Sequence, residues 1–348
     1  MRAVDYSECL YGSAAFAGFG KGDIGSPEFA LFRTFHDRRL QMAWEIHKWP
    51  DLCPIEQRQY RPNYSGTATY GVNTDPTADN SANEVYDVPT CSYYQSLQTA
   101  NTGNSPSVGG VENSAWWAVC KNQYEANDWV SGAQFNVGDQ VRNPADNRQY
   151  QCITAHTSGG TFDGTKFGLL TPFNRYVAFE QPGLTAIGEL FRAFDKDPRV
   201  TTQLRKFPFM VSQDGFQFSG PATNLVWLYY RTRRPVLTGD AWDSTVAYAI
   251  GAQVYFAAVS GGSGNFYTAA TATNAGDSPV SAAAKWSVIQ IPYIFRGYLI
   301  EGGYADWLTS DGQSDKAQAL EPMATSYLEM EADKVQRQEQ QVSRMFVS

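Results

Sequence analysis

The residue types that most often carry out chemistry are sparse in this 348-residue chain, and their spacing matches no catalytic motif. His36 and His47 lie in a stretch with helical periodicity, and His156 lies in a turn-like loop. The chain has neither an HExxH motif nor a cluster of Cys and His, one of which a zinc site would require. No nucleophile elbow or serine–histidine–aspartate order accompanies His156. We therefore expect no metal, no cofactor and no enzymatic activity.

The other reactive groups lead to the same expectation. The glycine-rich stretch 18–25 lacks the Lys-Ser/Thr ending of a phosphate-binding loop, so we interpret it as a connecting loop. Glycosidase chemistry needs two carboxylates across a cleft, and the sequence singles out no such pair. The cysteines show no CxxC spacing and their number is odd, which favours reduced thiols over a disulfide framework. The five are Cys9, Cys53, Cys91, Cys120 and Cys152.

Aromatic residues make up 14% of the chain, and they recur in a repeated pattern. The stretch YYQSLQTANTGNSPS, which begins at Tyr93, matches FYTAATATNAGDSPV, which begins at Phe266. Upstream of these stretches, NEVY at 83–86 corresponds to AQVY at 252–255, and a third copy of this tetrapeptide is DQVR at 139–142. We define repeat 1 as residues 66–120, repeat 2 as 121–180 and repeat 3 as 240–291. Alternating residues and Gly/Asn/Asp turns predict a small β module for each repeat.

Each predicted module has aromatic anchors, whose role the sequence leaves open between a small hydrophobic core and a ligand platform. Trp116 and Trp117 close repeat 1 and Trp286 closes repeat 3, while Tyr176 is the candidate for closing repeat 2. The aromatic candidates are Trp116, Trp117, Trp129, Trp242, Tyr255, Tyr267 and Trp286.

A helix is predicted between Ser26 and Pro50, with Ser26 as the N-cap and Pro27 at the first helical position. The apolar residues with helical spacing are Leu31, Phe35, Met42, Ile46 and Trp49. Arg38 and Arg39 interrupt this stripe. They indicate either a solvated face or a contact with another subunit or partner.

Two further helices are predicted near the C-terminus, at about 292–308 and from about 313 to 344. The second contains Pro322, which should kink it or mark its start, and becomes polar nearly all round towards its end. Such a helix is poorly stabilised alone, so we expect neighbouring chains to support it. Its narrow apolar stripe consists of Ala317, Leu320, Ala324, Leu328 and Val335.

These elements predict an α+β fold, in which N- and C-terminal helices and a β segment form a helical bundle with three inserted β modules. The predicted parts are 1–65, 66–120, 121–180, 181–239, 240–291 and 292–348. The formal net charge of −8 argues against sequence-specific reading of DNA. The sequence shows neither a signal peptide nor a run of about 18 apolar residues. We expect a soluble protein made in the cytoplasm.

Three stretches near the ends of the predicted helical body resemble head–tail connector (adaptor) proteins of tailed bacteriophages. They are AWEIHKWPDL, VWLYYRTRRPVLTG and GQSDKAQALEPMATSYLEMEADKVQRQEQQ. The order of helix, β segment and two helices with a polar tail carries this resemblance, which covers about 170 residues of the chain. The inserted repeats depart from the shorter members of that family.

The resemblance implies a virion structural protein, assembled in the host cytoplasm, at the neck between head and tail. It implies a homo-oligomeric ring, commonly of about twelve copies. The ring would bind the portal protein on one side and a tail, stopper or nozzle protein on the other, with fibres as a further possible partner. Double-stranded DNA would pass through its lumen without being read. The C-terminal segment would reach the portal, so the portal-contact candidates are Gln340, Gln341, Arg344, Met345, Phe346 and Val347.

Repeat 3 is also similar to small chitin-binding-type carbohydrate-binding modules, through the spacing of Trp242, Tyr248, Tyr267 and Trp286. That resemblance implies an aromatic platform formed by Trp242, Tyr255, Tyr267 and Trp286. It supports an alternative function: a glycan-binding or fibre-anchoring protein without membrane segments.

Overall fold

The computed structural model describes residues 2–75, 80–173, 175–181, 183–201, 203–219, 224–259 and 261–345, with the backbone alone for 338–345. Within these ranges the chain has four helices and many small sheets, so the α+β class is confirmed. The helices are α1 (Tyr6–Phe16), α2 (Ser26–Ile46), α3 (Arg296–Ser310) and α4 (Ser314–Met345).

The strands follow in chain order. They are β1 (Ala3–Val4), β2 (Ile55–Gln59), β3 (Thr69–Tyr70), β4 (Glu84–Asp87), β5 (Ser92–Ser96), β6 (Asn101–Thr102), β7 (Ser107–Val108), β8 (Val111–Glu112), β9 (Trp117–Val119), β10 (Asn127–Asp128), β11 (Gln134–Phe135), β12 (Gln140–Arg142), β13 (Gln149–Cys152), β14 (His156–Thr157), β15 (Phe167–Leu170), β16 (Tyr176–Ala178), β17 (Ile187–Phe194), β18 (Phe209–Val211), β19 (Gly215–Phe218), β20 (Leu225–Thr232), β21 (Asp240–Ala241), β22 (Gln253–Ala257), β23 (Gly264–Ala269), β24 (Trp286–Val288) and β25 (Ile291–Pro292).

The chain divides into two compact units. The terminal unit comprises residues 1–54 and 231–348, and the central unit comprises residues 55–230. Both ends of the chain therefore belong to one folded unit, which holds α1 to α4 and repeat 3. Repeats 1 and 2 and residues 181–230 belong to the central unit. The finer division into six parts stays a prediction.

In the terminal unit, α3 contacts each of the other three helices. A Cβ atom on Gly303 would lie 2.5 Å from Nε2 of His36, and one on Gly302 would lie 3.0 Å from Cδ of Arg39. The glycine pair lowers helix propensity, yet it is what allows α2 to approach α3 closely. The core around these helices includes Tyr6, Leu10, Phe32, Leu40, Tyr255, Phe266, Phe295, Leu299, Ala324 and Leu328.

Helix α2 confirms the predicted helix but buries a different face. Gly25, rather than Ser26, is the N-cap, and the helix ends at Ile46, before the predicted end at Pro50. Leu31, Met42 and Ile46, which were predicted as part of the apolar stripe, are exposed. The buried face instead consists of Phe32, His36, Arg39, Leu40, Ala43 and Trp44.

Helices α3 and α4 confirm the two predicted C-terminal helices. A 3₁₀ turn at Tyr293–Phe295 precedes α3, and α4 begins at Ser314 and continues through Pro322. The predicted α4 stripe faces the core as expected. Ala317, Ala324 and Leu328 are buried, and Leu320 and Val335 are half-buried.

The central unit is built from small sheets around a core of its own. Strands β18 and β19 form a hairpin, with Val211 paired to Phe216. Strand β20 lies between β17 and β2. Its period-two pattern buries Val226, Leu228 and Tyr230 on one face, as expected for a strand packed on one side.

The three repeats share one strand register. Their central hairpins are β4–β5, β12–β13 and β22–β23, and all three are antiparallel. In each hairpin a valine lies directly opposite a tyrosine. The pairs are Val85 with Tyr94, Val141 with Tyr150, and Val254 with Tyr267. The residues that the sequence aligns are therefore equivalent in hydrogen-bonding position.

The strand that closes each repeat also pairs in the same register in all three repeats. Trp117 lies opposite Ser96, and Trp286 lies opposite Ala269. The equivalent residue of repeat 2 is Phe167, which lies opposite Cys152. The prediction that Tyr176 closes repeat 2 is wrong, because Tyr176 lies in β16, which pairs with β19 in another sheet.

Candidate interaction surfaces

The predicted aromatic candidates do not form one common platform. Trp116 and Trp117 pack in the small core of repeat 1, and Trp129 packs in that of repeat 2. In repeat 3, Trp242, Tyr267 and Trp286 surround a small core, whereas Tyr255 faces the helices and belongs to the terminal core. Trp117, Tyr255 and Trp286 are buried, and the other four are half-buried.

Trp242 is the candidate best placed to meet a ligand. It lines a groove of about 1070 Å³, together with Tyr11, Lys21, Asp240 and Tyr255. We call this the Trp242 groove. The indole nitrogen of Trp242 is buried and has no hydrogen-bond partner in the described part of the chain. The groove therefore combines aromatic surface and charged groups.

The rim of the Trp242 groove is partly organised by polar contacts. Arg33 Nη1 lies 2.6 Å from Asp240 Oδ1 and also donates to the carbonyl of Gly239. The hydroxyls of Ser278 and Ser281 lie 2.9 Å apart. The glycine-rich stretch 18–25 is a loop, as predicted; it connects α1 to α2 and contributes Gly22 and Gly25 to the lining.

The exposed side of α2 is a second candidate surface, which we call the α2 stripe. It consists of Leu31, Phe35, Met42 and Ile46. Leu31, Met42 and Ile46 are 37%, 48% and 62% exposed, and Phe35 is half-buried. Since α2 also buries its other face in the core, the helix is apolar on two sides. A helix of this kind is typical of a protein that buries a second face against a partner.

Beside the α2 stripe, a buried ion cluster connects three helices. Arg39, which is 4% exposed, donates Nε and Nη2 to both carboxylate oxygens of Asp306 on α3, at 2.9 and 2.7 Å. It also donates Nη1 and Nη2 to Glu321 on α4, at 2.6 and 2.8 Å. Hydrogen bonding to Arg39 lowers the pKa of Glu321. Arg39 is thus a structural residue, unlike the exposed Arg38 next to it.

A serine–histidine pair also lies inside the terminal unit. Ser13 Oγ is 2.9 Å from His36 Nε2, and Tyr6 OH is 3.2 Å from His36 Nδ1. Ser13 Oγ also donates to the carbonyl of Ile300, at 2.9 Å. All three side chains are fully buried, and this burial lowers the pKa of His36 to about 3. The neutral histidine therefore links α1, α2 and α3.

The other predicted sites are placed as follows. Gln340, Gln341, Arg344 and Met345 lie in the last turns of α4, where the structure describes the backbone alone. Phe346 and Val347 lie outside the described residues. Among the described residues, no group of three His, Cys, Asp or Glu side chains has the arrangement of a metal site. None of the helices in that part combines the length and hydropathy needed to cross a bilayer.

No known protein family, curated protein or solved structure matches this chain. The resemblances to connector proteins and to carbohydrate-binding modules therefore have their support in the quoted residues alone.

Sequence reasoning did not identify α1, the Ser13–His36 pair or the Arg39 cluster. The partners of Arg39 lie 267 and 282 positions away, so no local spacing pattern reveals them. One signal was available: the Gly302-Gly303 pair interrupts an otherwise helical stretch, which indicates a close helix approach at that point.

Proposed function

We propose that this protein is a virion structural protein that forms the adaptor ring between the portal vertex and the tail of a bacteriophage. The observation that carries the proposal is the α2 stripe, an exposed apolar face on the unit that contains both ends of the chain. A subunit that presents such a face gains stability when identical copies cover it. Rotational symmetry supplies those copies.

The finer architecture belongs to the same proposal. The four helices would form the helical body of the ring subunit, and the three repeats would be β modules inserted into it. The shared valine–tyrosine register and the equivalent closing residues support a common origin for the three modules. The modules would bind neighbouring subunits, tail proteins or fibres.

Charge and length are compatible with a DNA conduit. The net charge of −8 disfavours adhesion to the phosphate backbone. Helix α4 has 32 residues, which corresponds to a length of about 48 Å. Its exposed residues towards the C-terminus are mainly polar. We propose that this end, with Gln340, Gln341, Arg344, Met345, Phe346 and Val347, contacts the portal protein.

The experiment mixes the purified full-length protein with portal rings and examines them by negative-stain microscopy and sedimentation. We expect ring-shaped particles that bind the portal. A variant truncated after Ser343 should keep its ring but lose portal binding. Portal binding of unchanged affinity after truncation would refute the role of the C-terminal segment, and the absence of portal binding by the full chain would refute the adaptor function.

One observation favours the second candidate function, glycan binding or fibre anchoring. Trp242 lines a groove of about 1070 Å³ together with Tyr11, Lys21 and Asp240. A glycan array measures this function directly. Binding that is abolished by Trp242→Ala and retained by Trp129→Ala, its counterpart in repeat 2, would support the second candidate over the adaptor.

A further inference from the structure

The Trp242 groove is lined by two parts of the chain that lie far apart in the sequence. Repeat 3 contributes Asp240 and Trp242, and residues from α1, the loop 18–25 and the start of α2 complete the lining, with Tyr11 and Lys21 among them. Both parts belong to the terminal unit. A ligand in the groove would therefore contact the helical part of this unit as well as the repeat.

The apolar part of the lining is an aromatic surface that neither part of the chain forms alone. The ring centroid of Phe29 on α2 lies 4.9 Å from that of Tyr255 on β22. The next residue of this strand, Phe256, has its ring centroid 5.5 Å from that of Trp242. Phe29, Phe256 and Trp242 are half-buried. Partly open rings of this kind offer flat apolar surface to a ligand.

Lys21 provides the groove with hydrogen-bond donors. Its ammonium group lies 5.4 Å from the ring centroid of Tyr11 on α1, which is within the range of a cation–π contact. A Cβ atom on Gly261, in the loop between β22 and β23, would lie 3.4 Å from Cβ of Lys21. The Lys21 ammonium makes neither a hydrogen bond nor an ion pair within the described residues. Its three donors are therefore available to a ligand.

Asp240 provides a hydrogen-bond acceptor. Its Oδ1 accepts from Arg33 Nη1 at 2.6 Å, and its side chain remains 86% exposed. The other carboxylate oxygen, Oδ2, accepts no hydrogen bond from the part of the chain that the structure describes. Arg33 is itself held by the carbonyls of Thr238 and Gly239. The groove thus offers a free acceptor on repeat 3 and free donors on the loop 18–25.

No single sign of charge dominates the groove. Lys21 and Asp240 belong to the lining, and Arg33 pairs with Asp240. Asp23 lies in the same loop as Lys21, and a Cβ atom on the lining residue Gly25 would lie 2.8 Å from Oε2 of Glu28. A ligand with a strong net charge of either sign would meet like charges here. A neutral ligand that both donates and accepts hydrogen bonds fits the groups better.

We propose that the Trp242 groove binds a neutral saccharide, and that Lys21 and Asp240 both contact it. The C–H face of a sugar ring is apolar and packs on aromatic side chains, while its hydroxyls donate and accept hydrogen bonds. The assignment rests on the second candidate function, glycan binding, and names the ligand class and the polar contacts of that site. The helical part of the terminal unit takes part in it, whereas Tyr255 and Trp286 of the predicted platform are buried.

An array of oligosaccharides tests the ligand class with the full-length protein. It contains oligomers of neutral hexoses and N-acetylhexosamines, oligomers of uronic acids, and oligomers of hexosamines with free amino groups. We expect the tightest neutral oligomer to bind about tenfold or more tightly than any member of the two charged classes, because both charged classes meet like charges in the groove. Tighter binding of a charged class would overturn the assignment of a neutral ligand.

Two surface variants test the polar contacts. Lys21→Ala and Asp240→Ala change exposed side chains. Each should weaken binding of the tightest neutral oligomer by about tenfold, because each removes a hydrogen bond to a charged group. Lys316→Ala and Asp315→Ala are the matched controls. They change exposed charges in the first turn of α4, outside the groove, and should bind like the wild type. Circular dichroism verifies that all four variants are folded.

The outcomes separate this assignment from glycan binding as such. Binding that is lost in Trp242→Ala but unchanged in Lys21→Ala and Asp240→Ala would overturn the polar contacts and leave glycan binding standing. Weakening by one of the two variants alone would overturn the contact of the other residue. Equal weakening by the groove variants and the controls would overturn the site. The absence of binding to every oligosaccharide on the array would overturn both this assignment and the second candidate function.

Discussion

Repeats 2 and 3 have nearly the same hydrogen-bonded frame. In both, a parallel pair, β10–β12 or β21–β22, is followed by two antiparallel strands. The backbone N–H of Trp129 donates to the carbonyl of Arg142, and that of Trp242 donates to the carbonyl of Tyr255, both at 2.8 Å. The two repeats also enclose the same kind of core on the inner face of the sheet.

Their outer faces differ. At equivalent positions, repeat 2 has the cross-strand pair Arg142 and Gln149, and repeat 3 has the pair Tyr255 and Phe266. Arg142 forms an exposed ion pair with Asp128, whereas both aromatic residues of repeat 3 are buried in the terminal core. Successive residues of a strand point to opposite faces. The inner face of the sheet can therefore keep the repeat folded while the outer face determines what the repeat packs against.

Repeat 1 supports this separation of roles. Its outer pair is Tyr86 and Tyr93, whose rings lie 5.2 Å apart and pack on the core of the central unit. Repeats with an aromatic outer pair are thus fused to the unit that holds them. Repeat 2 has a polar pair at these positions and contacts repeat 1 instead through Gln151, whose side-chain amide donates to the carbonyl of Trp117.

The largest expected effect is at the aromatic attachment. Phe266 is 1% exposed and its ring lies 4.6 Å from that of Tyr6 on α1. Phe266→Ala should lower the free energy of unfolding by about 3–5 kcal/mol, because it leaves a cavity in the core. The equivalent substitution in repeat 2, Gln149→Ala, removes a half-buried polar side chain rather than a core ring and should change it by about 1 kcal/mol or less. Urea denaturation followed by tryptophan fluorescence measures both, and similar losses would contradict the comparison.

Buried and exposed ion pairs provide the next test. Arg39→Met leaves the buried carboxylate of Asp306 without its partner and should cost about 3–5 kcal/mol. Arg142→Met removes the exposed pair with Asp128 in repeat 2 and should leave the denaturation midpoint unchanged. A midpoint shift of similar size for the two variants would show that burial does not distinguish them.

The pH dependence of stability tests the packing of the helices against which repeat 3 packs. The pKa of His36 falls from 6.5 to about 3 on folding, chiefly because burial disfavours the charged form. Between these values the unfolded chain binds a proton that the folded chain does not, so stability should fall as the pH decreases. The expected slope is about 1.4 kcal/mol per pH unit from this residue. His36→Asn should reduce that slope by the same amount. An unchanged slope would contradict a buried, neutral histidine.

The smallest expected effect concerns the closing residues. The indole N–H of Trp117 donates to the carbonyl of Asn104 at 2.8 Å, and that of Trp286 donates to the carbonyl of Asp277 at 3.2 Å. Repeat 2 has Phe167 at this position and lacks the donor. Trp117→Phe should cost about 1 kcal/mol for the lost hydrogen bond. A loss well above this value would mean that the packing of the larger indole ring, and not the hydrogen bond alone, distinguishes the closing residues.

Much of the architecture could be predicted from local spacing. The C-terminal helices and the strand register of the repeats follow from periodicities of 3.6 and 2 residues, which the chain keeps clearly at those places. The sequence alignment also pairs Asn104 with Asp277, and the backbone carbonyls of these two residues accept the equivalent hydrogen bonds from Trp117 and Trp286.

The buried face of α2 could not be predicted in this way. Two stripes of that helix have helical spacing, and the one that consists of apolar residues alone is the exposed one. The buried stripe contains His36 and Arg39, which look polar until their partners Ser13 and Asp306 are known. Those partners lie 23 and 267 positions away. Long-range pairing, rather than local hydropathy, determines which side of the helix faces the core.

The mass of the intact, full-length protein under native conditions tests the central claim most directly, because the account depends on self-association of the terminal unit. Native mass spectrometry should show one closed oligomer of fixed subunit number, and Met42→Asp with Ile46→Asp should convert it to monomer. A wild-type protein that remains monomeric at every concentration at which it is soluble would contradict the account.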